Sequence, residues 1–121
     1  MERIFDILQQ ASKPTRSAFL DWYVINHLGR ETTFWRLGKY NQDRILKDLS
    51  ENKFLYYLIK EFAESFSLYI SLSESVYKKE VEYFFIINRK SWTLHSASFK
   101  TKKQTKREAI KEILKRFESY I

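Results

Sequence analysis

The chain has 121 residues and a net charge of +7, with 44% hydrophobic and 31% charged residues, a globular composition of one domain's length that can bury a core. It has no cysteine, two glycines and one proline, which excludes disulfide scaffolds, thiolate zinc fingers, thiol nucleophiles, glycine-rich phosphate loops and nucleophile elbows. No apolar run approaches the ~18 residues of a membrane span, and Glu2 and Asp6 in the opening stretch speak against a secretory signal.

Glu2 to Ala11 reads as a short helix with Ile4, Phe5, Ile7 and Leu8 on one side; Pro14 stops it or starts the next element. Thr15 to Leu28 reads as a second helix, capped by Thr15 or Ser17 and closed by Gly29, although Val24 and Ile25 leave a strand open there. Arg30 to Tyr40 is ambiguous between element types. Asn41 is a candidate cap for a helix through Ile45, Leu46 and Leu49. Ser50 is the candidate cap of another, whose apolar face is Phe54, Leu55, Leu58, Ile59 and Phe62.

The period then changes to two. Phe66, Leu68, Ile70 and Leu72 alternate with Ser67, Tyr69, Ser71 and Ser73, a strand with one dry and one hydroxyl-rich face. Glu74 to Lys79 reads as a turn or short loop. A second strand from Glu80 to Ile87 is apolar on much of both faces, as a central strand should be. Asn88-Arg89-Lys90 reads as a tight turn, and Ser91 to Phe99 as a third strand. The last helix is the best marked: Thr101 and Thr105 each open a capping-box pattern, and Ile110, Ile113, Leu114, Phe117 and Ile121 form its stripe, with Ala109 at the margin. The expected fold class is α+β: a helical N-terminal segment (1–49) followed by an αβββα layer (50–121) with a three-stranded antiparallel sheet. The first segment packs on that layer or forms a separate contact surface.

Charge is unevenly placed. The first 99 residues hold fourteen bases and twelve acids; residues 100–121 hold eight bases and three acids. The excess crowds into Lys100, Lys102, Lys103, Lys106 and Arg107, around the start of the last helix. A helix start carries about half a positive charge, so cations there are disfavoured by about 0.3–1 kcal/mol each. A docked anion would reverse that sign, and phosphate is the obvious one. A solvated face, with Glu108 and Glu112 offsetting part of the field, is the plainer account of the same residues; their crowding at the wrong pole of the helix favours the anion. Lys78 and Lys79, in the first inter-strand loop, offer a second phosphate contact or merely blunt a turn.

The αβββα order, together with Thr101-Lys102-Lys103-Gln104-Thr105-Lys106, resembles the double-stranded-RNA-binding domain, whose last helix opens Ser-Lys-Lys-x-Ala-Lys. Thr101 takes the serine position, and Lys102, Lys103 and Lys106 the lysines. The resemblance implies a module recognising duplex RNA by shape and phosphates, with no base reading. The chain departs from the family at Ala97 and Phe99, where the family has glycines, at Thr105, and in Glu74 to Lys78, which lacks a Gly-Pro-x-His loop. Phe99-Lys100-Thr101 and Glu108-Ala109-Ile110 are similar to the endings of small phage or mobile-element proteins, many of which bind a host protein.

Other residues carry weaker chemical signals. Tyr69, Phe84, Trp92 and Phe99 could form a base-stacking platform, although packing of Phe84 and Phe99 under the helices or the N-terminal segment is the simpler expectation. Trp22 and Trp35 are expected to pack the N-terminal helices, with Trp35 also fit to anchor an interface. His27 and His95 lack partners at metal or triad spacing. Glu61 and Glu64 read as a solvated helix face, while Glu80 and Glu82, or Glu51-x-Lys53, form only fragments of a metal-nuclease pattern. The expectation is therefore a non-enzymatic, intracellular (cytoplasmic, reducing) binding module. It has no cofactor, no metal and no membrane contact, and its partner is nucleic acid, duplex RNA before others. The alternative is a protein–protein interaction module, such as a phage-encoded inhibitor, bound to a host protein with an acidic or nucleic-acid-binding surface.

Overall fold

The computed structural model describes residues 2–119. The elements run α1 (Ile4–Gln10), α2 (Lys13–Trp22), α3 (Lys39–Glu51), α4 (Leu55–Glu64), β1 (Tyr69–Tyr77), β2 (Glu80–Arg89), β3 (Trp92–His95) and α5 (Lys102–Glu118). A π-helical turn, Tyr23–His27, continues α2, and a 3₁₀ turn, Phe34–Arg36, interrupts the connection to α3. The fold is α+β, with an antiparallel sheet in the order β1-β2-β3. β1 pairs with β2 from Tyr69↔Asn88 to Tyr77↔Glu80, and β2 with β3 from Ile86↔His95 to Arg89↔Trp92.

Strand alternation decides the layers. Ile70, Phe85 and Ile87 point to one side and are buried; Tyr69, Ser71, Phe84 and His95 turn to the other. Under the buried side lie α4 and α5, which contribute Ile59, Phe62, Ile110, Ile113 and Phe117. The N-terminal helices pack on this layer and share one hydrophobic cluster with it, through Ile7, Leu8, Phe19, Phe34 and Leu49. Phe62 is the junction: its ring lies 5.4 Å from Phe19, 5.7 Å from Trp22, 5.4 Å from Phe66 and 5.0 Å from Phe117. Each such side chain withdrawn from water contributes about 1.5–3 kcal/mol, enough in sum to hold the N-terminal segment on the layer.

Several boundaries differ from the expected ones, each for a local reason. The second helix begins at Lys13 because Ser12 Oγ, rather than Thr15 or Ser17, accepts the Thr15 N–H at 3.4 Å; Pro14 sits in its first turn, where no N–H is needed. Val24 is buried in the π-helical turn and not in a strand, and Gly29 at φ +68° ends the run. Gly38, not Asn41, precedes α3, which runs through Ser50; that residue therefore caps nothing, and Asn52 Oδ1 instead takes the Phe54 N–H at 2.8 Å. Phe54, expected on the buried face, is 64% exposed because it precedes the helix. After α4, Ser67 adopts a left-handed conformation (φ 63°) and the Leu68 N–H returns to the Ala63 carbonyl, so Phe66 lies in a turn and the strand starts at Tyr69.

The largest correction concerns residues 74 to 79. Glu74–Tyr77 continues β1, and the turn is only Lys78-Lys79, both at positive φ (49° and 68°), the geometry of a two-residue hairpin. Likewise Asn88 and Arg89 remain in β2 and the second turn is Lys90-Ser91. The third strand stops at His95 rather than Phe99. Ser96 leaves the ladder by taking the Phe85 N–H on its own hydroxyl at 2.9 Å, and pairing resumes only as a bridge between Phe99 and Tyr83. In the last helix Thr105 is buried and its hydroxyl bonds the Thr101 carbonyl at 2.7 Å, so Thr101 alone is the cap. Ile121 of the expected stripe lies outside the described residues.

Candidate nucleic-acid interface

Thr101 is extended, and its Oγ1 accepts the Gln104 N–H at 3.0 Å; the Thr105 N–H reaches the Thr101 carbonyl at 3.1 Å. Of the four amides that open α5, those of Lys102 and Lys103 have no hydrogen-bond acceptor among the described residues. No acidic residue stands in this first turn. At 3.6 residues per turn, Lys102, Lys103, Lys106 and Arg107 span roughly 140° of the helix. That sector is the one that Ile110, Ile113, Leu114 and Phe117 bury further along. The cations thus continue the core-facing side of α5 past the rim of the core, where an apolar side chain would otherwise be expected.

Two of them lean on protein partners. The Lys106 ammonium lies 5.3 Å and 5.1 Å from the ring centres of Tyr56 and Tyr57 and donates to the Tyr57 hydroxyl at 3.3 Å. Lys102 lies 6.0 Å over Tyr83 and makes a long, half-exposed ion pair with Glu74 at 3.8 Å. Lys100, Lys103 and Arg107 have no ion pair among the described residues.

Lys103, Lys106 and Arg107 border a groove of about 430 Å³. Its lining includes the apolar Ile4, Phe5, Leu49 and Leu55 and two further cations, Arg3 and Lys53. Neither Arg3 nor Lys53 is marked by any local sequence signal, since only folding brings residues 99 and 49 positions away to the start of α5; Tyr56 and Tyr57 fall outside the apolar stripe that marks α4. Two acids beside the groove are already engaged. Lys111 bonds Glu2 at 2.9 Å and holds its carboxyl below the usual range, and Arg3 does the same to Asp6 at 3.4 Å. Glu51 remains on the rim.

Lys78 and Lys79 are not part of this cluster. They form the hairpin tip, four residues or about 13 Å of strand beyond Glu74, and Lys78 lies 5.5 Å over the ring of its neighbour Tyr77. The aromatic platform is also divided. Tyr69 and Phe84 are on the outer face, where Phe84 stacks on His95 at 4.6 Å and does not pack under the helices. Trp92 and Phe99 are on the helix side, with the Arg116 guanidinium 5.3 Å from Trp92. Trp22 packs in the core and Trp35 is 52% exposed, its indole N–H bonded to Ser17 at 2.9 Å. His27 stacks on Tyr23 at 5.1 Å. Among the described residues no three His, Asp or Glu side chains gather as metal ligands, and no helix is long and apolar enough to cross a membrane. No protein-family model, no curated protein and no solved structure matches this chain.

Proposed function

We propose that this chain is a non-catalytic binding module that engages nucleic-acid phosphates, those of duplex RNA above others, through Lys100, Lys102, Lys103, Lys106 and Arg107. The observation that carries the reading is the run of cations on the core-facing sector of α5, at the pole where the helix itself repels them. Fold stability would favour an acid in the first turn, at Lys102 and Lys103, although Lys102 is offset by Glu74 and Lys106, a turn further on, rests on Tyr56 and Tyr57. A phosphate docked against the amides of Lys102 and Lys103, beside Lys100, Lys103 and Arg107, which have no ion pair among the described residues, turns the repulsion into attraction. Lysine is a point charge suited to backbone oxygens and carries no base code, so recognition would rest on the shape and phosphate spacing of the duplex. The element order, αβββα with the cations at the last helix, supports duplex RNA over other polyanions. The module would act in the cytoplasm.

A second reading, an interaction module such as an inhibitor of a host protein, is favoured by one observation: Trp35 stands 52% exposed but fixed, with Lys13 5.7 Å over its ring. The two readings separate in one experiment. For the Lys102→Glu/Lys103→Glu/Lys106→Glu variant, the log–log dependence of duplex affinity on salt is measured by fluorescence anisotropy. About four to five phosphate contacts give the parent a slope near −4, and the variant should lose most of it. An unchanged slope would remove these lysines from the interface and leave the interaction reading.

A further inference from the structure

β1 is the longer of the sheet's two edge strands. Its nine residues pair with β2 in unbroken register, without a bulge, and contain no Lys, Arg or Pro to discourage another strand. Tyr83 in β2 commits both its N–H and its C=O to Phe99, at 2.8 and 2.7 Å. In an antiparallel ladder the bonding direction alternates, so Phe84 and Ile86 face β1, and their partners Ser73 and Ser71 face back. The backbone groups of Ile70, Leu72, Glu74 and Val76 therefore point to the open edge. Among the described residues, no backbone hydrogen bond from outside the ladder reaches them. Near this edge Leu72, Val76 and Tyr77 are 37%, 67% and 72% exposed.

The strand reads Tyr-Ile-Ser-Leu-Ser-Glu-Ser-Val-Tyr, and its chemistry is nearly the same in both directions about Ser73. Laid antiparallel against itself on a twofold axis through Ser73, it sets Tyr69 opposite Tyr77, Ile70 opposite Val76, Ser71 opposite Ser75, and Ser73 opposite itself. The one unlike pair is Leu72 with Glu74, and each Glu74 keeps its own Lys102 at 3.8 Å. This register has the parity the backbone demands: Ile70–Val76 and Leu72–Glu74 are the edge-facing, hydrogen-bonding residues on both sides. Serines and tyrosines meet on the outer face, and Ile70 and Val76 on the helix side. We propose that β1 is a self-association edge whose partner is β1 of a second copy, giving a twofold dimer with a continuous six-stranded sheet.

The chain has no cysteine, so one introduced thiol reports the register. In the proposed dimer Ser73 faces its own copy in a non-hydrogen-bonded pair, at a Cα separation of about 4.5 Å that a disulfide tolerates. Residues 71 of the two copies would lie about 13 Å apart along the strands. Mild oxidation should therefore cross-link Ser73→Cys and leave Ser71→Cys largely monomeric. Sedimentation velocity of the parent at about 100 μM, where a micromolar dimer is mostly formed, should give twice the monomer mass. Val76→Lys, at a side chain already exposed in the monomer, should weaken association at least tenfold with an unchanged melting temperature when measured dilute. A parent that stays monomeric, or equal cross-linking of the two cysteine variants, would overturn the proposal.

Discussion

Replacing Lys103 by Glu separates a cation kept for binding from one kept for the fold, because the two roles give opposite signs. Lys103 is the second residue of α5, exposed and without an ion pair among the described residues. Its interaction with the helix terminus is unfavourable by about 0.3–1 kcal/mol, and a glutamate there is favourable by a similar amount. The exchange should stabilise the protein by about 1 kcal/mol, a rise in Tm of about 4 °C for a domain of this size. The gain should shrink with salt, since at 0.1 M the Debye length is only about 10 Å. Duplex affinity should fall in the same variant, and its log–log salt slope should lose about 0.9 for the missing phosphate contact. Thermal melts and anisotropy titrations at two ionic strengths read both quantities. A variant that melts lower than the parent, or binds as tightly with an unaltered slope, would refute the reasoning.

Other outcomes follow from the packing. Phe62→Ala removes the ring at which α2, α4 and α5 meet, 1% exposed, and should cost about 3–5 kcal/mol in urea unfolding; a loss below about 1 kcal/mol would mean the N-terminal helices are not held there. Thr101→Ala takes away the acceptor of the Gln104 N–H and should cost about 1 kcal/mol, seen as a lower urea midpoint at constant m. Burial, reinforced by Tyr57 and Glu64, pushes the Tyr56 hydroxyl up to about 12. The folded state thus holds that proton more tightly than the unfolded state, whose tyrosine titrates near 10. This contribution to stability is complete below pH ~10 and is lost as the pH rises towards ~12. A phenolate absorbance titration should show a late step that Tyr56→Phe abolishes; a parent titration complete by about pH 11 would contradict the assignment.

Periodicity carries the order of elements, and the exceptions have physical causes. The stripes of α4 and α5 and the alternation of β1 and β2 are legible because each buries one face against a single layer. Chain breaks are harder, since polar residues compete for the same backbone groups. Ser12 and Asn52 take the bonding roles expected of Thr15 or Ser17 and of Ser50, and Ser67 supplies a left-handed turn usually given to glycine. The hairpin tip is hidden in the sequence because a Lys-Lys turn at positive φ carries no Asn-Gly signature. Of the candidate interface, the lysine cluster can be read from local charge alone. Its setting cannot: Tyr56, Tyr57, Arg3 and Lys53 reach it only through the packing of α1 and α4 against α5.

The central claim is tested most directly by anisotropy titration of the intact chain against matched duplex RNA, duplex DNA and single-stranded RNA across a salt series. A preference for duplex RNA that persists at physiological salt, with a slope near −4 for the B-form DNA duplex, is the expected result. Weak binding to all three that vanishes at moderate salt would contradict it and leave the α5 lysines as a solvated face.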